Sequence, residues 1–462
     1  MVESTNLEKL IQEYPFLTAK YAPQFSSEDF EKIGIKIPEA GLEDGYIKLY
    51  PEDFIVEEVN PKGKICTIEK PQEKPTLQEG ENQRYLNTTL VKKGMATFEA
   101  ESIIAYFLKI PVRNISHAGI KDAVAITSQR ISIKNPTLET VTAIEHSRMF
   151  LKDFEFNEPL VTEGGLAGNI FTILVRTKSN FDQAKIEERI EKIREDGFPN
   201  FFSLQRFGRR LENHRVGKLI IQRKFEEAVK TVLTESSPYE APLVTLLRTK
   251  VYYAWGDWEK VEELFRKMAN YFRDEVTLVR YLKREPKDFR GALASFPNLA
   301  KLYVYAYTAY LFNKKLSEIY QENRENPPQL LPLTSPYNPE TLQVYGQYLK
   351  EENLSLEDFI IRELPFIRIN RLRIPTFIKP GLLDYRFLPQ GAAFRFILRK
   401  GSYATSFLSY IFNLTEGEPK PLWLNKELIN TQDKFKEKEM EEIKEESLPQ
   451  QKEIVEEGAK EE

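Results

Sequence analysis

The sequence predicts an α+β protein whose strand-forming part is interrupted by a mainly helical block. Three observations predict it. Apolar residues alternate with period two in the first two hundred residues, as in Phe171, Ile173 and Val175, with a helical pattern between such runs. From about His214 to Leu364 the spacing turns helical, beginning with Phe225, Ala228, Val229, Val232 and Leu233. After Pro365 the alternation returns: Phe394, Phe396 and Leu398 against Arg395, Ile397 and Arg399. The first domain resumes there.

Taken in order, residues 1–43 read as an N-terminal extension, a short helical pattern followed by loop, packed outside the main fold. A first segment of the strand-forming domain spans 44–213. In it a strand is expected from Gly45, with Ile47 and Leu49 alternating, then Phe54-Ile55-Val56 and a turn at Pro61 to Gly63. Lys70 to Gln83 reads as a surface loop. Thr97 is placed to cap a helix whose Ala100, Ile103, Ile104, Phe107 and Leu108 share helical spacing, with Glu99 and Glu101 near its positive end and Pro111 as its stop. Gly119 then opens a loop carrying Asp122, and Ile131-Ser132-Ile133 reads as the start of a strand. Residues 214–364 form the helical insertion. Its stretch from Tyr253 to Leu264 has the look of a helical repeat, yet no second copy follows at the expected period. Residues 365–426 return to the first domain, and 427–462 read as a charged, disordered tail with too little apolar surface to offset its ordering entropy.

At 462 residues the chain is long enough for two or three domains. Its 41% hydrophobic and 29% charged residues describe a soluble globular protein, and no apolar run reaches the roughly 18 residues of a membrane span. The N-terminus lacks the basic start and apolar stretch of a secretion signal, so a cytoplasmic location is expected; a monomer is the expected oligomeric state. Abundant charge with few Cys and Met suggests a thermophile. A lone cysteine, Cys66, excludes an internal disulfide and multi-cysteine metal sites; His117, His146 and His214 lack metal-pair spacing. No metal and no cofactor are expected; a Ser-His-Asp or Cys-His hydrolase stays open, but no nucleophile elbow or matching cysteine context accompanies these histidines, so the chemistry is expected to rest on a carboxylate. The formal charge of -4 conceals a distinction: from Asp433 onward twelve acids face six lysines, whereas the preceding residues carry 60 basic against 58 acidic groups. A nucleic-acid partner would then need a local basic surface, to which Arg206, Arg209, Arg210 and Arg215 could contribute.

The most informative segment is Gly119-Ile120-Lys121-Asp122-Ala123-Val124-Ala125-Ile126-Thr127-Ser128-Gln129. It presents a single acid in a glycine-opened loop ahead of a strand. With Lys48 and Pro51-Glu52-Asp53-Phe54-Ile55-Val56-Glu57-Glu58 before it and Asn200-Phe201-Phe202-Ser203-Leu204-Gln205-Arg206-Phe207-Gly208 after it, the segment resembles the signature of the tRNA pseudouridine synthase D (TruD) family. Fainter matches at Ala306-Tyr307-Thr308-Ala309-Tyr310-Leu311-Phe312-Asn313 and Gly401-Ser402-Tyr403-Ala404-Thr405 extend the resemblance over roughly residues 44 to 412. It implies a pseudouridine synthase catalytic domain with a mixed or antiparallel sheet and a helical TRUD insertion. It also implies tRNA as substrate, uridine 13 of the D arm as target, Asp122 as catalytic carboxylate and Lys48 as its neighbouring cation. Departures from the family pattern are Ser203 for a frequent glycine, His117 for an aromatic or aliphatic residue, and Thr308-Ala309 for a polar pair.

An aspartate can serve this isomerisation by proton abstraction or by covalent attack, and the residues leave both routes open. A carboxylate that attacks must be ionised, which a nearby cation favours and burial opposes; hence Lys48. A uridine taken out of its stack needs an aromatic face to replace the lost stacking, and Phe202 is the candidate, with Asn200 for hydrogen bonds. Lys121, Arg206, Arg209 and Arg210 are candidates for phosphate contact. Two other readings compete. One is a non-catalytic RNA-binding protein or chaperone on the same fold; the other is a glycoside hydrolase taking its second acid from Glu57 or Glu58.

Overall fold

The structure is a computed structural model, and it describes residues 27–36, 42–71, 84–136, 138–156, 159–269, 271–322, 327–417 and 420–435. Most of the expected loop at 70–83, the extension before residue 27 and the tail from 436 lie outside the described residues. The chain divides into two compact units. A mixed unit holds Leu42–Gly197, Lys379–Glu416 and the segment from Lys420; a helical unit holds Phe198–Ile378 and the residues before Leu42.

The mixed unit is built on ten strands among the described residues: β1 Glu43–Tyr46, β2 Phe54–Val59, β3 Tyr85–Lys93, β4 Ile115–His117, β5 Ile126–Lys134, β6 Met149–Glu155, β7 Gly168–Arg176, β8 Gly381–Leu388, β9 Gly391–Arg399 and β10 Phe412–Thr415. Along the sheet the order is β8-β9-β7-β2-β5-β3-β6, with β4 added on β5, and β1 joined to β10 and, at Tyr46, to β7. Most neighbours are antiparallel, but β2 runs parallel to β5 and β1 parallel to β10. The sheet is therefore mixed. Helix α1, Thr97–Leu108, lays Ala100, Ile104 and Leu108 on Leu86, Leu90, Ile131 and Ile133. Phe107, expected on the same face, is instead 42% exposed. Helix α2, Gln183–Asp196, is capped by Asp182, whose carboxylate accepts from Lys185 N at 3.2 Å, and buries Ile186, Ile190 and Ile193. Phe171 stacks on Phe396 of the adjacent strand with ring centres 5.4 Å apart.

Three local expectations shift. The first strand ends at Tyr46, two positions ahead of Lys48, because Lys48 adopts a left-handed backbone, φ 59°. The strand expected at Ile131 already begins at Ile126, so Thr127 and Gln129 are strand residues. Thr97 does not cap α1: Ala96 occupies that position, and the Thr97 hydroxyl accepts from Lys121 N at 3.0 Å.

The helical unit contains α3 Asn213–Ile221, α4 Phe225–Thr234, α5 Pro242–Tyr253, α6 Trp258–Arg266, α7 Arg273–Arg284, α8 Phe289–Ala294, α9 Pro297–Gln321 and α10 Glu340–Glu351, which share one apolar core. Gly217 lets α3 lie directly on α9, since a Cβ there would sit 2.0 Å from the Tyr303 carbonyl oxygen. Residues 27–36 pack on the same long helix: Asn313 Nδ2 donates to Ile33 O and Ser317 Oγ to Gly34 O. Part of the extension thus belongs to the helical unit. That unit is also wider than 214–364, because the chain enters and leaves it as two paired strands, Phe198–Pro199 and Phe377–Ile378, whose extended backbone carries no helical period.

Candidate active site

Asp122 sits in the loop between β4 and β5, just ahead of Ile126. Because β2 and β5 are parallel, with Ile55 opposite Ile126, the approaches to both strands reach the same end of the sheet. That is how Lys48 meets an acid 74 residues away. Its Nζ donates to Asp122 Oδ1 at 2.9 Å, lies 3.2 Å from Glu416 Oε2 and stands 4.6 Å from the centre of the Phe54 ring. Glu416 arrives by register, since β10 runs parallel to β1 with Tyr46 opposite Thr415. Burial works against the Lys48 ammonium, but the charges of Asp122 and Glu416 outweigh it and hold its pKa above the ordinary lysine value. The side chain of Asp122 is 35% exposed against 12% for Lys48, so the carboxylate is reachable while its cation is shielded. Ile120 and Val124 stand exposed on either side of the acid.

The loop is tied from behind. Thr97 holds the Lys121 amide, Gln129 Nε2 donates to Gly119 O at 3.1 Å, and Lys92 Nζ donates to the main-chain oxygen of Asp122 at 2.8 Å. Lys121 departs from its expected role. Its ammonium is buried against Glu58 Oε2 at 2.6 Å, and Glu58 also accepts from Arg130 N at 3.0 Å, so this charge faces inward and is not presented to phosphate. Glu57 accepts from Ile68 N, and both glutamates are buried, so neither presents the second acid of a glycosidase. On the same loop's approach, His117 Nδ1 lies 2.5 Å from Glu101 Oε1, and this hydrogen bond raises the imidazole pKa against the opposing effect of burial.

The remaining expected residues belong to the helical unit. Phe202 is half-buried, edge-on to Phe312 at 5.3 Å, with the Arg206 guanidinium 5.6 Å from its ring centre. Its backbone is fixed at both ends by Asn313, which accepts from Phe202 N and donates to Phe202 O. Asn200 is buried and donates its side-chain amide to Pro375 O at 3.0 Å. Arg209 is exposed, with its guanidinium 5.9 Å from the Tyr271 ring centre. Arg210 is engaged elsewhere: it donates to the carbonyls of Thr231, Val232 and Glu235, closing the C-terminal end of α4, which satisfies carbonyls that would otherwise lack partners. Its expected phosphate contact is therefore replaced by a structural one.

Sequence reasoning missed Lys92 and Glu416. Both act through long-range pairing, and neither stands in a local motif that would have singled it out.

Among the described residues no group of three or more His, Cys, Asp or Glu could hold a metal ion, and no helix is long and apolar enough to cross a membrane. The family model for tRNA pseudouridine synthase D (TruD) matches residues 38–328. The chain belongs to this family. As a TruD member it is a pseudouridine synthase by class, an isomerase. Two proteins of Methanocaldococcus jannaschii are similar to it. One, named as tRNA pseudouridine synthase D 2, is 30% identical over 410 residues, covering 79% of this chain and 91% of that one. The other, named as tRNA pseudouridine synthase D 1, is 30% identical over 381 residues, covering 79% and 94%. The crystal structure of a Methanosarcina mazei protein described as TruD superposes with a TM-score of 0.64 at 25% identity, covering 83% of this chain and 98% of that one. The α+β catalytic fold with its helical insertion is thus that of a TruD protein.

Proposed function

We propose that this TruD member isomerises uridine to pseudouridine in tRNA, at uridine 13 of the D arm, with Asp122 as the essential carboxylate. The observation that carries the reading is the partly exposed Asp122 side chain, with its carboxylate held 2.9 Å from the shielded Lys48 ammonium. In the reaction the bond between ribose carbon one and base nitrogen one breaks, and a bond from carbon one to base carbon five forms. The proton on carbon five is lost and nitrogen one gains one. Nothing is oxidised. The Lys48 ammonium balances the Asp122 charge before the carboxylate is consumed, whether Asp122 attacks covalently or takes a proton. Exposed Ile120 and Val124 give the acid an apolar rim suited to a base out of its stack. In the helical unit, Phe202, half-buried with its backbone clamped by Asn313, is the aromatic side chain proposed to stack on an RNA base, and Arg206 and the exposed Arg209 are those proposed for phosphate.

Purified wild type and Asp122→Asn are incubated with unmodified tRNA, and pseudouridine is mapped by carbodiimide labelling and primer extension. Wild type is expected to give a stop at position 13, and Asp122→Asn to lower the rate by at least about a thousandfold. No pseudouridine from wild type on any tRNA would overturn the proposal, and a stop elsewhere would overturn the assignment of the target.

A further inference from the structure

We propose that Lys92 is a positioning residue that fixes the main chain of Asp122, so that the carboxylate is aimed from a rigid backbone while Lys48 steadies its side chain. The inference rests on Asp122 being the reactive acid.

Lys92 lies on β3, a strand paired on both sides: Lys92 is opposite Thr127 of β5 and Met149 of β6. Its side chain is buried, with only 1% of its surface exposed. A lysine is rarely buried this fully, because an ammonium leaving water must find strong acceptors. Here its Nζ donates to two main-chain oxygens, Met95 O at 2.8 Å and Asp122 O at 2.8 Å. One acceptor lies in the turn between β3 and α1, the other in the reactive loop. The ammonium therefore ties the residue that carries the acid to a strand held between β5 and β6.

Two cations thus divide the work on one aspartate. Lys48 meets the carboxylate, and Lys92 meets the peptide oxygen of the same residue. The charged groups acting on Lys92 are the Asp122 and Glu99 carboxylates, which support its charge, and the Lys121 ammonium, which opposes it. Burial dominates and lowers its pKa to about 8. Above that pH the neutral amine keeps N–H donors but loses the charge that makes these hydrogen bonds strong.

The test compares wild type, Lys92→Arg and Lys92→Met in single-turnover assays on tRNA from about pH 6 to about pH 10, the range in which a lysine so shifted titrates. tRNA Kd is measured alongside, with Asp122→Asn in parallel. At neutral pH Lys92→Met is expected to lose on the order of a hundredfold in rate with Kd unchanged, the scale of a misplaced reacting group. Lys92→Arg is expected to recover most of that loss and to remove the alkaline fall in rate, because a guanidinium stays charged throughout. Ionisation of the uracil ring would affect every protein alike, so the differences between proteins decide. Lys92→Met reacting at the wild-type rate, or Lys92→Arg falling in the same pH window as wild type, would overturn the proposal. If Lys92→Met fails to fold, the Lys92→Arg profile decides alone. Retained rate in Asp122→Asn would instead sink the reading of the acid itself. An inactive Asp122→Asn beside Lys92 variants that match wild type would remove only the role of Lys92.

Discussion

Single charges in this protein are assigned by their partners more than by their residue type. Lys121, next to Asp122 in sequence, is buried against Glu58, and Arg210 is committed to the end of α4. If Lys121 met phosphate, its loss would reduce the salt dependence of tRNA binding. The buried pair predicts otherwise: Lys121→Gln should leave the slope of log Kd against log salt unchanged. It should lower stability by about 3–5 kcal/mol, the usual consequence of leaving one member of a buried ion pair alone. Urea unfolding together with a salt titration of binding checks both halves. Asp122 and Lys48 were singled out because each stands in a local motif shared with a family, and the structure brings the two into contact. The further partners, Glu58 for Lys121 and Glu416 for Lys48, were not legible, since they come near only through strand register.

At the level of elements, α1 serves the site as much as the core. Its first residue, Thr97, holds the Lys121 amide, and one turn later the buried Glu101 holds His117. The sequence located the start of this helix within a residue because its apolar spacing is strong, and its expected stop at Pro111 lies three residues beyond the last helical residue, Leu108. It misassigned the Thr97 hydroxyl because a helix cap and a tertiary contact call for the same side chain. The Glu101 contact also makes a prediction with a definite sign. Its hydrogen bond raises the His117 pKa in the folded protein, so its contribution to stability is complete below the ordinary histidine value. That contribution disappears as pH rises through the raised value. Compared with Glu101→Gln, wild type should be more stable by about 1 kcal/mol near pH 6, and the advantage should shrink by about pH 9. Urea midpoints at the two pH values would reveal a constant difference if the pairing carries no charge.

On the scale of the whole molecule, the compositional change near His214 and the return of alternation after Pro365 made an insertion legible. Its true edges were not, because the entering and leaving strands are two residues long and too short to show a period. Their pairing brings the entry and exit of the helical unit side by side. Replacing residues 200–376 with a short turn should therefore leave the mixed unit folded, with a single cooperative unfolding transition and strand-rich circular dichroism, but unable to modify tRNA. Loss of cooperativity would mean that the mixed unit does not stand alone. The same arrangement imposes an order of events on the ribosome. Strand β7 is complete at Arg176, but β9, its partner along nine positions, begins only at Gly391, about 215 residues later. At roughly 5–20 residues per second, that edge waits on the order of ten to forty seconds during synthesis. Throughout that interval Ile170, Phe171, Ile173, Leu174 and Val175 lie on a strand that can pair with β2 on one side but has its other edge open to wrong partners. A nascent chain of this design depends on whatever shields that edge until its last strands arrive.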